Sequence, residues 1–234
     1  MTVTFGLLHG GCHHGWCYDR LVPELRSRGY DAVAVDMPFE DPSAGITGNA
    51  EAVVRSLAAH EDVVLVAHSM GGLIAPVAAR LRPVRHLVLL CAVVPEPGLS
   101  FAEQNLDPSV IGPSTVPAQA MTRDEQGTTR FASAQALHDH LYQDCDDATV
   151  QWAWERVGSF AATIAVEKTP LTTWPDVPTT SVIATRDGAV NPDWSRIKAK
   201  AIGASIVELE GSSHSPFASR PAELADVLVH IATG

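Results

Sequence analysis

The apolar run Val63-Val-Leu-Val-Ala passes through His68 into Ser69-Met-Gly-Gly and on into a second apolar segment with helical spacing. A serine between a buried strand and a helix, with the small residues Ala67 and Gly71 two positions to either side, fits a tight turn that lifts a hydroxyl clear of a sheet. In that turn the Met70 amide sits at the positive end of the following helix, where it can face negative charge growing on an attacked carbonyl oxygen. The chemistry this spacing suits is nucleophilic attack by Ser69 on an acyl group. A serine that only caps the helix is the plain alternative, and the strand, helix and two small flanks together favour the nucleophile.

A serine hydroxyl attacks well only when a base removes its proton. His214 is the best placed of the ten histidines, in Glu210-Gly-Ser-Ser-His-Ser-Pro-Phe between the last strand-like run and the last helix. A base of this kind needs a carboxylate to fix its tautomer. Asp187 follows the run Thr180 to Ala184 and precedes His214 by 27 positions, room for one helix and one strand. Glu96, after the run ending at Cys91, and Asp193, on the next helix, are rival acids. Asp36 also ends a strand but precedes Ser69, and reads as a turn residue. After the first run, His9-Gly10-Gly11-Cys12 can turn its backbone toward the serine, so the Gly11 and Met70 amides are the expected oxyanion donors. His68 is expected to point away from the site, because successive side chains on a strand diverge. His138 and His140 lie two apart on a helix, and His9, His13 and His14 lack zinc spacing, so no metal is implied.

These loops need a scaffold that brings them to one edge. Val3 to Leu8, Ala32 to Val35, Val63 to Ala67, Leu87 to Cys91, Thr180 to Ala184 and Ile206 to Leu209 are continuous apolar runs, as in strands of a parallel sheet buried on both faces. Helical spacing separates them, as in Leu21, Val22 and Leu25, in Ala50, Val53, Val54 and Leu57, and in Leu224, Val227, Leu228 and Ile231 after Pro221. The class is α/β: a mostly parallel, doubly wound sheet of about six strands. Its strand order would reverse between the first and third strands, where ligands collect. The alternation stops between the core segments 1–95 and 178–234. Residues 96–177 are expected to form a helical lid, with helices near Ala132 to Tyr142 and Thr149 to Phe160. Glu96 to Asp176 holds 12 acidic and 4 basic residues, so this insertion carries most of the chain's net charge of −11.

At 234 residues the chain suits one domain with a sizeable core. Its acidic balance repels phosphate backbones and anionic lipid, which argues against nucleic-acid and membrane-surface partners. The N-terminus lacks a basic region and a long apolar stretch, and Cys12, Cys17, Cys91 and Cys145 form neither a disulfide framework nor a zinc signature. A cytoplasmic protein with reduced thiols is the expectation.

His9-Gly-Gly-Cys-His-His-Gly-Trp16, the Ser69 turn, Asp187 and Gly211-Ser-Ser-His214 together resemble the α/β-hydrolase branch of plant methylesterases, hydroxynitrile lyases and related bacterial esterases. The resemblance runs from residue 3 to about 95 and from 178 to the end. The chain order serine, acid, histidine is that of the α/β-hydrolase triad. The resemblance implies a serine esterase without metal or organic cofactor, acting on a small, mainly apolar ester such as a methyl ester or lactone, with Gly10, Cys12 and Trp16 near the substrate. The lyases of this branch carry a threonine where this chain has Gly10 and a lysine where it has Ser215, which favours hydrolysis over cyanohydrin cleavage. A lyase, a ligand receptor, and a thioesterase or cyclase acting on a carrier-bound chain are the alternative readings. Phe101, Leu137, Trp152, Trp154 and Phe160 in the lid point to a hydrophobic substrate, with most of them expected in the lid core rather than the pocket lining.

Overall fold

The computed structural model describes residues 2–105 and 114–234. In chain order its main elements are β1 (Thr4–Leu8), α1 (Leu21–Ser27), β2 (Asp31–Val35), α2 (Gly45–Ser56), β3 (Val63–His68), α3 (Ala75–Leu81) and β4 (His86–Leu90). An insertion follows, with β5 (Met121–Arg123), β6 (Thr128–Phe131), α4 (Ala134–Leu141), α5 (Asp147–Trp154), β7 (Phe160–Ala161) and α6 (Ala162–Val166). The chain then returns to β8 (Thr179–Ala184), α7 (Pro192–Ala201), β9 (Ser205–Leu209), α8 (Pro216–Ser219) and α9 (Pro221–Thr233).

Six strands form one parallel sheet in the order β2-β1-β3-β4-β8-β9. Every residue of β1, β3 and β8 is buried, whereas the edge strands β2 and β9 are buried only in part. That contrast explains the sequence pattern: a strand covered on both faces tends to be apolar at odd and even positions alike, as in β3, while β8 also buries Thr179, Thr180 and Ser181. In β3, Val64 and Val66 join the core that contains Leu21, Leu25, Leu224 and Leu228 of α1 and α9. Val63, Leu65 and Ala67 face the opposite core, with Ile46, Ala50, Val53 and Ala78 of α2 and α3. At roughly 1.5–3 kcal/mol per buried large aliphatic side chain, these two layers are the main favourable term that fixes the sheet.

The register places Leu8 opposite Ala67, and Ala184 opposite Leu209. The carboxyl ends of β1, β3, β8 and β9 therefore lie along one edge of the sheet. β1 and β3 are neighbours between which the chain order reverses, so the loops after them border the switch-point crevice.

The insertion differs from the expected all-helical lid. It contains an antiparallel sheet, β5-β6-β7, as well as helices. α4 and α5 begin at caps, with Ser133 Oγ accepting from the Ala136 amide and Asp146 Oδ1 from the Thr149 amide. The helix expected to reach Phe160 stops at Trp154, because core loops capture the amides beyond it. Gly158 N–H donates to the Cys12 carbonyl at 2.9 Å, Ser159 N–H to Glu40 at 2.9 Å and Ala161 N–H to the Phe39 carbonyl at 2.7 Å. All four cysteines are free, and among the described residues no helix is long and apolar enough to cross a membrane.

Candidate active site

Ser69 follows β3 at φ +52°, in the left-handed region that a residue with a Cβ seldom occupies. The other non-glycine residues described there, Cys12 (φ +63°) and Cys91 (φ +48°), follow β1 and β4. Backbone strain is thus gathered at the strand ends around one crevice, a pattern common at functional sites. The turn also requires the glycines that follow it. A Cβ on Gly71 would lie 2.7 Å from the His9 carbonyl oxygen, and one on Gly72 only 2.1 Å from that of Val93.

His214, in the loop after β9, directs Nδ1 at both carboxylate oxygens of Asp187, each at 2.9 Å. The two side chains are 1% and 3% exposed, so the pair is shielded from water. Asp187 Oδ1 also accepts the amides of Ala189 and Val190 at 2.8 and 2.9 Å, which fixes the carboxylate. With Nδ1–H bound to Asp187, the lone pair of neutral His214 is on Nε2. Nε2 is buried with no hydrogen-bond partner among the described residues, and the ring faces the cavity whose wall includes Ser69. The rival acids are engaged elsewhere. Glu96 pairs with Lys198 on α7, and Asp193, 72% exposed, pairs with Arg196 at 2.6 Å. Asp36 accepts the Gly15 amide at 2.6 Å, a contact between the loops after β1 and β2.

The Gly-rich loop after β1 lies directly against this serine. A Cβ on Gly10 would fall 2.6 Å from Ser69 Cβ, and one on Gly11 2.8 Å from Met70 Sδ. Two imidazoles pin the loop: His9 Nδ1 donates to the Gly10 carbonyl at 2.9 Å, and His13 Nδ1 to that of Gly11 at 3.0 Å. Their other nitrogens accept from the Met37 amide at 3.0 Å and the Tyr142 hydroxyl at 2.8 Å.

The cavity measures about 190 Å³, and its described wall contains no Asp, Glu, Lys or Arg. Gly11, Met70, Ser69, His214 and Cys12 meet there with Phe101, Phe131 and Phe160. Residues 7–227 match the model of the Alpha/beta hydrolase family. The chain belongs to that family.

The chain is 27% identical to Methylesterase 2 of Arabidopsis thaliana, with 97% of this chain and 95% of the relative covered. It is 28% identical to Methyl jasmonate esterase 1 of Vitis vinifera, with the same two shares. Among solved structures, a pyrethroid hydrolase from Sphingobium faniae JZ-2 superposes with a TM-score of 0.82 at 21% identity, covering 99% of this chain and 98% of that one. Polyneuridine aldehyde esterase superposes with a TM-score of 0.83 at 20% identity over 99% and 100% of the two chains. The whole chain therefore shares the hydrolase fold and is related to proteins named as esterases.

Four sequence expectations for the site need correction or sorting. Trp16 does not line the cavity. It sits in a short helical turn, Gly15–Tyr18, and packs edge-on against Trp152 at 5.1 Å and beside His13 at 5.4 Å. His68 does not turn away from the site: it shares the cavity wall with Ser69, its ring lies 4.5 Å from that of His214, and its Nε2–H donates to the His214 carbonyl at 3.0 Å. Of the apolar insertion residues, Phe101 and Phe160 reach the cavity, while Leu137, Trp152 and Trp154 belong to the core. His9, His14 and Asp36 do offer ligand atoms within 4.8 Å of one another, but both nitrogens of His9 are already held by backbone.

Burial drives the His9 imidazole down to about 4 and that of His13 to about 3, from an ordinary 6.5. Both rings are neutral in the folded protein at pH values where the unfolded chain takes up protons. Their contribution to stability is complete above pH 6.5 and is lost as the pH falls through 6.5 toward about 4 for His9 and about 3 for His13, a change on the order of several kcal/mol. Urea unfolding should therefore show a lower midpoint at about pH 5 than at about pH 7.5. Equal midpoints would mean that the rings are not buried neutral.

Proposed function

We propose that this hydrolase cleaves a small, uncharged, mainly apolar carboxylic ester, such as a methyl ester or lactone, through an acyl-enzyme on Ser69. The observation that carries this reading is the shielded Asp187–His214 pair, which faces the cavity bordered by the strained Ser69 turn. Ser69 Oγ attacks the ester carbonyl while His214 Nε2 takes its proton. Asp187 holds the tautomer and stabilises the imidazolium. The Gly11 and Met70 amides receive the negative oxygen. His214 then protonates the departing alkoxide. A water, deprotonated by His214, releases the acid and restores the serine hydroxyl.

The described wall holds no Asp, Glu, Lys or Arg, which supports a neutral substrate, since a carboxylate or ammonium placed against those residues would lose its hydration without gaining a counter-charge from them. Hydrolysis is favoured over cyanohydrin cleavage at the position where the related lyases carry threonine. Gly10 presses on Ser69 so closely that a side chain would collide with it, and no hydroxyl is present there to hold a cyanohydrin.

The test is fluorophosphonate labelling of the wild type, followed by turnover of nitrophenyl and methyl esters with neutral or carboxylate-bearing acyl groups. Covalent labelling and preference for neutral acyl groups are expected. A wild type that neither labels nor turns over any ester removes the proposal.

A further inference from the structure

The corner between α4 and α5 reaches the loops that hold both the acid and the base. On the acid side, His140 Nδ1 lies 3.3 Å from the Gly188 carbonyl oxygen, and a Cβ on Gly188 would fall 1.7 Å from Gln143 Nε2. On the base side, Asp144 collects three donors. Ser213 offers its amide to Oδ2 at 3.0 Å and its hydroxyl to Oδ1, and Ser219 offers its hydroxyl to Oδ2 at 3.1 Å. Arg220 Nε stands 3.9 Å from the same carboxylate.

We infer that Asp144, contributed by the insertion, is a positioning residue for His214. The inference rests on His214 being the base, as proposed above. Ser213 immediately precedes His214, and Ser219 closes the short helix α8 after it, so a single carboxylate grips the segment on both sides of the base. The His214 carbonyl is held independently, by His68 Nε2–H from the end of β3. One anchor thus comes from the sheet and the other from the insertion. The insertion does more than cover the cavity: its α4–α5 corner orders the segment whose small displacement would separate Nε2 from Ser69. Ser213 is fully buried, so removing its acceptor leaves an amide and a hydroxyl without water to replace it.

The experiment compares Asp144→Ala and Asp144→Asn with the wild type. The readouts are kcat and KM on the best ester and amide hydrogen exchange, with catalytic rates expressed per folded molecule. Asp144→Ala should lower kcat on the order of 10²-fold with KM little changed, as expected when a reacting group is misplaced by about 1 Å. Asn keeps the shape but presents an N–H₂ to one hydroxyl donor, and should lower kcat roughly tenfold. Both should speed exchange at Ser213 and His214 while leaving β3 protected. If Asp144→Asn retains wild-type kcat and exchange, or if protection falls uniformly through the sheet, the inference is overturned. An inactive wild type would refute the esterase reading alone, because the exchange arm reports the ordering of the loop without turnover.

Discussion

Replacing Ser69 with alanine is expected to abolish fluorophosphonate labelling and to lower kcat on the order of 10⁶-fold, leaving the slow reaction that oxyanion donors and binding alone can support. The substitution deletes one atom at the cavity wall and keeps the Cβ, so the strain at φ +52° is unchanged. The unfolding midpoint should accordingly stay within the range of a neutral substitution, which separates lost chemistry from lost fold. Ser69→Gly supplies the converse control: it loses the same chemistry, but it relieves the left-handed strain and should unfold at higher denaturant. Turnover retained by Ser69→Ala would remove the acyl-enzyme, whatever the remaining site residues do.

The parts of the fold that could be read in advance are mainly those determined by local chemistry. β1, β3 and β8 are buried on both faces; β1 and β3 carry apolar runs that stand out from the chain, whereas β8 opens on Thr179, Thr180 and Ser181 before its apolar Val182, Ile183 and Ala184. The Ser69 turn is legible although its constraint is not local: the His9 and Val93 backbone, distant in sequence, permits only small residues beside it, and that demand appears in the sequence as Gly71 and Gly72. The strands of the insertion are two to four residues long and pair across loops, which is too short for a period to emerge. His68 departs from the expected alternation for a definite reason. Alternation holds while a strand remains pleated, but the chain leaves the pleat at Ser69, and the side chains on either side of that break reach the same cavity. Trp16 lies in a motif beside the glycine-rich loop after β1, yet its helical turn directs the indole to Trp152 instead. Asp144 has no sequence signature, because its three donors come from Ser213 and Ser219, some 70 positions further along the chain.

The acid is the member of the site with credible rivals, and exchanging carboxylate for amide distinguishes them. Asp187 Oδ1 accepts two backbone amides, from Ala189 and Val190. An asparagine at this position must keep its carbonyl oxygen toward those donors, which presents its N–H₂ to His214. The imidazole then accepts at Nδ1 and carries its proton on Nε2, the nitrogen that has to receive a proton from Ser69. Asp187→Asn is therefore expected to lower kcat on the order of 10⁴-fold with the fold intact, less than Ser69→Ala because the nucleophile and oxyanion donors remain. Glu96→Gln removes a half-exposed partner of Lys198. Such a pair is worth about 0–1 kcal/mol of stability, so turnover should remain near that of the wild type. The decisive measurement is kcat for the two variants on one ester at a pH where wild-type activity is on its plateau. A large loss in Glu96→Gln with Asp187→Asn still active would transfer the acid to the strand before the insertion. It would also leave the 2.9 Å contact between Asp187 and His214 as a purely structural pair.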